Sequence, residues 1–543
     1  METGFAPSAL RAGRRAAALA LLIASGLLCP QDPAEAASCV AQETVVCTTS
    51  GGVRGVPEGA TVAFKGIPYA KPPVGALRWR PPQPAEASDE VRDGGRFGPI
   101  CPQIVASKVA GEEDCLTLNI WKPAKPAGAP RPVMVWLTGG GNHSLSGQGS
   151  PGFGGVAYDG EVLAGRGDVV FVSFNIRLGA LGFLAHPALS AELPEKISGN
   201  YGSLDQVAML QWLSRNIATF GGDPTRIFLF GTSAGGGNIC ALMTSPMTKG
   251  LFHGAAMQSS VPAACELQTL AEVEKGTGAR VAKAAGCDQA GDVAGCLRGK
   301  SVEEIVSAVP GTFGVFPRIY GPNVDGHVFP DQPIKRIAAR QHHAMPVIIG
   351  SDADETMQFV NAAGPVIDEA SYAAAIEKLF GAAAREAILA RYPARSHESP
   401  RRAFVQLTTD ALFTCISRRV ARTLAAAQSE PVYRYLFTHL LENDPAERAN
   451  GSIHTVEHPF FFAWRGKYRP TQADLSVQDA LVGYWTRMAK TGDPNGEGAV
   501  SWPAVAKDRD AYLEIAPKVV AGQGPAAAEC DFWDTLPLPW PHL

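Results

Sequence analysis

A chain of 543 residues, 46% hydrophobic and 18% charged, has ample material for a large buried core and lacks the highly charged, weakly apolar balance of disordered proteins. Its formal net charge of -4 excludes the concentrated basic footprint that phosphate backbones require, so nucleic acid is not an expected partner. Arg11, Arg14 and Arg15 precede an apolar run at 16–28 that is too short to cross a bilayer comfortably. Ala34-Glu35-Ala36 then supplies an A-x-A cleavage pattern. Residues 1–36 are therefore expected to be a signal peptide and 37–543 an exported chain, secreted or periplasmic, with no stable membrane anchor. The Arg14-Arg15 pair leaves the twin-arginine and general secretory routes both open. Leu28 is bulky where a lipoprotein signal has a small residue, so Cys29 is expected to leave with the signal.

No internal repeat or long low-complexity linker interrupts residues 37–543, which reads as one folded unit. Proline and glycine clusters at 66–84 and 147–155 read as ordered loops with demanding turns. Short β-rich apolar runs at 133–137, 169–174, 227–230, 347–349 and 432–437 alternate with helical patterns such as 206–217. That alternation predicts an α/β fold, a large, mostly parallel sheet with helices on both faces, in a single domain. Ligands in such folds gather where strands end, so the chemistry is expected in the loops just after these runs.

One of those loops carries a nucleophile signature. The run Ile227-Phe228-Leu229-Phe230 leads into Gly231-Thr232-Ser233-Ala234-Gly235 and then a helix-compatible stretch to Met243. Strand, G-x-S-x-G and helix in that order make a nucleophile elbow, whose small flanking residues let the chain bend sharply and expose the Ser233 hydroxyl. The start of the following helix favours an anion, which makes the Ala234 amide a natural oxyanion donor. A second donor set is Thr138-Gly139-Gly140-Gly141-Asn142, again directly after an apolar strand. Consecutive glycines let the Gly140 and Gly141 amides point into a cleft without Cβ interference. No C-x-x-C or His-rich cluster with zinc-site spacing occurs, so neither metal nor cofactor is expected.

At this point the residues resemble a known family, the type-B carboxylesterases, which include cholinesterases and bacterial para-nitrobenzyl esterases. Two stretches carry the likeness most specifically: Phe220-Gly221-Gly222-Asp223-Pro224-Thr225-Arg226 running into the Ser233 motif, and Glu113-Asp114-Cys115-Leu116-Thr117-Leu118-Asn119-Ile120. Gly66-Ile67-Pro68-Tyr69-Ala70, Asn175-Ile176-Arg177-Leu178-Gly179, Gly199-Asn200-Tyr201-Gly202 and Asp205-Gln206 extend it over most of the chain beyond the signal. The resemblance implies the α/β-hydrolase fold and hydrolysis of small-molecule carboxylic esters through an acyl-enzyme. It places the catalytic acid in a pattern like G-x-x-x-D-E, here Gly350 to Glu355, which makes Glu355 the acid with Asp352 and Asp354 as nearby rivals. It places the base in an H-x-x-E-x-P-F-like segment, His454 to Phe460, which makes His454 the base with His458 as its rival.

Of 11 cysteines, ten remain after the signal. The resemblance implies the pairs Cys101 with Cys115, Cys287 with Cys296, and Cys415 with Cys530. Proximity adds Cys39 with Cys47. Cys240 reads as a buried thiol on the helix behind the elbow, and Cys265 has no obvious partner. Three departures bear on substrate. Thr138 stands where relatives often carry histidine or tyrosine, Thr232 stands where cholinesterases carry glutamate, and residues 102–114 contain no tryptophan for stacking choline. Choline esters are therefore not the expected substrates. A neuroligin-like binding protein is the reading of another class, and lipase or amidase specificity or a bulky natural ester remains open within enzymes. Oligomeric state is not legible.

Overall fold

In the computed structural model of this chain the described residues are Met1, 39–41, 44–150, 156–260, 265–312 and 319–536. The signal segment, apart from Met1, lies outside them. The main sheet has eleven strands: β1 (Val56–Glu58), β2 (Thr61–Pro68), β3 (Thr117–Pro123), β4 (Arg131–Leu137), β5 (Val170–Phe174), β6 (Gly222–Thr232), β7 (Gly254–Gln258), β8 (Val347–Asp352), β9 (Val432–Phe437), β10 (Ala511–Ile515) and β11 (Val520–Gln523). Their spatial order is β11-β10-β9-β8-β7-β6-β4-β5-β3-β2-β1. The contiguous block from β10 to β5 is parallel, while β11 at one edge and β3, β2 and β1 at the other pair antiparallel.

The apolar runs are nearly continuous because both faces of the block are covered. Along β4, Val133, Val135 and Leu137 enter one core while Met134 and Trp136 enter the other, the two-residue period of a pleated strand. The first core is closed by α1 (Tyr201–Asn216), through Met209, Leu210 and Leu213, and by α3 (Cys415–Ala427), through Ile416, Val420 and Leu424. Between these helices in sequence lies α2 (Ala234–Leu242), wholly buried. The second core is closed by α4 (Gln472–Thr491) through Val477, Leu481, Trp485 and Met488. Burying one such side chain contributes about 1.5–3 kcal/mol, against about 0.2–1 kcal/mol for an exposed ion pair. The two apolar layers therefore hold the sheet, and surface charges do not.

The strand runs expected at 133–137, 169–174, 227–230, 347–349 and 432–437 all lie in the parallel block, with ends shifted by a few residues. β6 begins early, at Gly222, because a register break between Gly222 and Ile227 lets the Asp223-Pro224 turn ride on the strand. Helix α1 starts at Tyr201, earlier than the expected 206, although Gly202 and Ser203 are weak helix formers. Its first turn is held by tertiary contacts. Buried Asp205 accepts from the Arg177 guanidinium at 2.6–3.2 Å and from the Arg177 amide at 2.9 Å.

Among the described residues five disulfides are present: Cys39–Cys47, Cys101–Cys115, Cys240–Cys265, Cys287–Cys296 and Cys415–Cys530. The third corrects the sequence reading. Cys240, read as a buried thiol, is bonded to Cys265, for which the sequence offered no obvious partner, because the segment at Cys265 folds back over α2 and buries both side chains. Cys415–Cys530 pins α3 to α5 (Ala527–Trp533) across 115 residues. A loop of that length predicts a loss of about 4–5 kcal/mol when the bridge is removed. Cys415→Ser with Cys530→Ser is thus expected to lower the denaturant midpoint clearly; an unchanged midpoint would contradict this. No helix among the described residues is long and apolar enough to cross a membrane.

Candidate active site

The C-terminal ends of the interior strands β4, β6, β8 and β9 deliver Thr138, Ser233, Ala353 and the chain toward His454 to the same carboxyl-end side of the sheet. Ser233 has φ 59° and ψ -125°, a conformation that non-glycine residues rarely adopt. Neighbouring contacts impose it. A Cβ on Gly231 would lie 2.4 Å from the Leu137 carbonyl oxygen, and one on Gly235 only 2.1 Å from the same atom. Both G-x-S-x-G glycines are therefore required by close approach to the end of β4. The Ser233 amide donates to the Gln258 carbonyl at 2.9 Å, tying the bend to β7.

The glycine loop lies directly against this bend. A Cβ on Gly139 would come within 3.0 Å of Ser233 Cβ and 3.7 Å of its Oγ. Gly140 and Gly141 follow with φ of 77° and 60° and open a short 3-10 turn, so their N–H groups have no acceptor within it. Ala234 opens α2 and its N–H is free of intrahelical bonds for the same reason. Asn238 on α2 donates to the Asn142 side chain at 2.8 Å and locks the loop to the helix. Asn175 supports the next part of the loop by accepting from the Gly147 amide at 2.8 Å, while the hydroxyl of Tyr69 donates to the Asn175 carbonyl at 2.6 Å.

On the acid turn after β8, Glu355 is fully buried and accepts from the Asp352 amide on Oε1 at 2.9 Å. Its Oε2 lies 2.5 Å from His454 Nδ1. The two rivals point elsewhere. Asp354 turns outward to Arg402 at 3.3 Å and accepts from the Ser452 amide, and Asp352 accepts from the Thr455 amide at 3.1 Å. His454 packs edgewise on Phe359 and against the tilted ring of Phe413, with its carbonyl bound by Gln358. His458 is packed against Trp136 and Tyr158, and burial together with the neighbouring His454 pushes its pKa down to about 3, so it stays neutral.

Glu457 went unused in the sequence reading although it lies in the same H-x-x-E-x-P-F-like segment. Its Oε1 accepts from Thr232 Oγ1 at 2.9 Å and from Gln258 Nε2 at 3.3 Å. The histidine loop is thereby joined to the residue preceding Ser233. A cavity of about 370 Å3 adjoins His454 and is walled by Leu441, Thr455, Trp464, Arg465 and Tyr468. Arg465 is paired there with Asp159 and Glu161.

Comparison with known proteins places this geometry. The sequence profile of the carboxylesterase family matches residues 42–533. The fumonisin B1 esterase of Sphingopyxis macrogoltabida is 36% identical over 497 residues, covering 88% of this chain and 87% of that protein. The para-nitrobenzyl esterase of Bacillus subtilis (strain 168) is 34% identical over 480 residues, covering 85% and 92%. A solved PNB esterase structure superposes with a TM-score of 0.77 at 32% identity, covering 91% of this chain and all of the other. Sheet order, elbow and sequence thus agree that the chain belongs to the carboxylesterase family, as an α/β-hydrolase-fold enzyme that hydrolyses carboxylic esters.

Proposed function

We propose that Ser233, His454 and Glu355 form the catalytic triad of this esterase, and that the amides of Gly140, Gly141 and Ala234 form its oxyanion hole. His454 takes the proton of the Ser233 hydroxyl as Oγ attacks the ester carbonyl carbon, giving a tetrahedral intermediate whose oxyanion the three amides stabilise. Glu355 fixes the tautomer that leaves the far imidazole nitrogen free to accept, and it stabilises the imidazolium. His454 then returns the proton to the departing alcohol. Water repeats the sequence on the acyl-enzyme, releasing the carboxylic acid and restoring Ser233. The observation that carries this reading is the buried 2.5 Å contact between Glu355 and His454, on a loop tied through Glu457 and Thr232 to the strained Ser233. The substrates are small-molecule esters.

The same reading makes 1–36 a removed signal and 37–543 one catalytic domain, exported to a compartment that sustains five disulfides. The test is the mass of the exported protein after reaction with a fluorophosphonate probe. One adduct is expected, on the peptide containing Ser233, in a chain beginning at Ala37. An unlabelled protein, or an adduct on another serine, would overturn the nucleophile assignment, and a chain retaining residues 1–36 would overturn the export assignment.

A further inference from the structure

Behind Glu355 and His454 lies a second pair of carboxyl groups, Asp352 at the end of β8 and Glu457 in the histidine loop, both buried. One oxygen of each has conventional donors: Asp352 Oδ2 takes the Thr455 amide, and Glu457 Oε1 takes Thr232 and Gln258. The other oxygens, Asp352 Oδ1 and Glu457 Oε2, are buried and accept from no N–H or O–H group among the described residues. The two carboxyl groups are nevertheless close enough for each to influence the other's ionisation. Ionised carboxylates are acceptors only, so a bond between two of them requires one proton. The groups around the pair are Glu355, His454, neutral His458 and the Tyr435 hydroxyl, and no arginine or lysine among the described residues is ion-paired with either carboxyl.

Building on the triad reading, we propose that Asp352 and Glu457 share a single buried proton, carried by Asp352 and donated to Glu457, and that this acid pair positions the elbow, the acid turn and the histidine loop for ester hydrolysis. The proton sits on Asp352 for three reasons. Glu457 already receives two donors on its other oxygen, which favours its charged form. Asp352 receives one, and its own amide is directed at the Glu355 carboxylate. Burial, then the charges of Glu457 and Glu355, hold Asp352 well above the ordinary carboxyl range.

The pair reaches every segment of the site. Asp352 Oδ2 holds the amide of Thr455, a non-glycine residue at φ 74° directly after His454. Glu457 holds Thr232 beside Ser233, and Gln258, whose carbonyl accepts from the Ser233 amide. The one negative charge left on the pair also faces His454, which attracts it as an imidazolium forms. Asp352 and Glu457 are positioning residues in this scheme and touch no reacting atom.

The test exploits the amide's likeness to a protonated acid. Asp352→Ala is expected to lower kcat for para-nitrophenyl butyrate about a hundredfold with little change in KM, because the histidine loop loses its anchor. Asp352→Asn can donate to Glu457 and accept from Thr455, and it is expected to recover at least about tenfold of that loss. Combining Asp352→Asn with Glu457→Gln sets two NH2 groups against each other, and the loss is expected to exceed the product of the single losses by about tenfold. The proton is also read without turnover. Asp352 has a raised folded pKa, so its contribution to stability is full below the ordinary carboxyl range and falls as pH rises toward the raised value. The thermal midpoint of the parent chain is therefore expected to drop relative to Asp352→Asn as pH rises above the ordinary carboxyl range. An Asn variant as damaged as the Ala variant, a multiplicative double variant, or a midpoint difference flat with pH would each overturn the shared proton. Failure of the triad reading would instead appear as turnover surviving Ser233→Ala, which leaves the midpoint series untouched.

Discussion

Ser233→Ala and His454→Ala are each expected to lower kcat for para-nitrophenyl butyrate by on the order of a millionfold, and the double variant by no more than either alone. The reason is that the two side chains act in one step: without the base the hydroxyl keeps its proton, and without the hydroxyl the base has no proton to take. Residual turnover should stay on the order of a thousandfold above water, supplied by the amides of the glycine loop and Ala234. Each variant should keep a native circular dichroism spectrum, since Ser233 loses one oxygen at a loop and the core of α2 and β6 is unchanged. Near-normal turnover in either variant, or losses that multiply, would refute the shared step.

Glu355→Gln should cost about ten-thousandfold in kcat while leaving KM nearly unchanged. Its shape is preserved, but an amide NH2 at the position of Oε2 would face His454 Nδ1 at 2.5 Å. The ring would then be favoured with Nδ1 as acceptor and the far nitrogen protonated, the tautomer that cannot accept from Ser233. The neighbour Asp354 provides the contrast. Asp354→Asn disturbs only a half-exposed contact with Arg402 and an amide of the histidine loop, so its effect on kcat should stay within about tenfold. If Asp354→Asn were the more damaging of the two, the acid assignment would move to that residue.

Some features were readable along the chain because their causes are local. A continuous apolar run such as 133 to 137 reads as a strand covered on both faces, and the small residues of G-x-S-x-G mark a sharp bend within five positions, although the atoms that forbid a side chain at Gly231 and Gly235 are those of distant Leu137. Other features resisted because their causes are distant. The start of α1 is anchored by distant partners, Asn323 and Asp325 on the N-cap residue Asn200 and Arg177 on Asp205, and no periodicity announces it. The Cys240–Cys265 bond depends on a return of the chain over α2 that spacing does not encode.

The same division runs through the site. Sequence alone determined the fold class, the esterase family and the strand, turn and helix around Ser233, since the apolar runs and the G-x-S-x-G pattern are each contained within a few residues. Tertiary structure decided which of three neighbouring carboxyl groups faces His454, which histidine is sealed in the core beside Trp136, and that Asp352 meets Glu457. Those outcomes depend on distances of a few ångströms between segments about a hundred residues or more apart, and Coulomb and hydrogen-bond energies change steeply over that range.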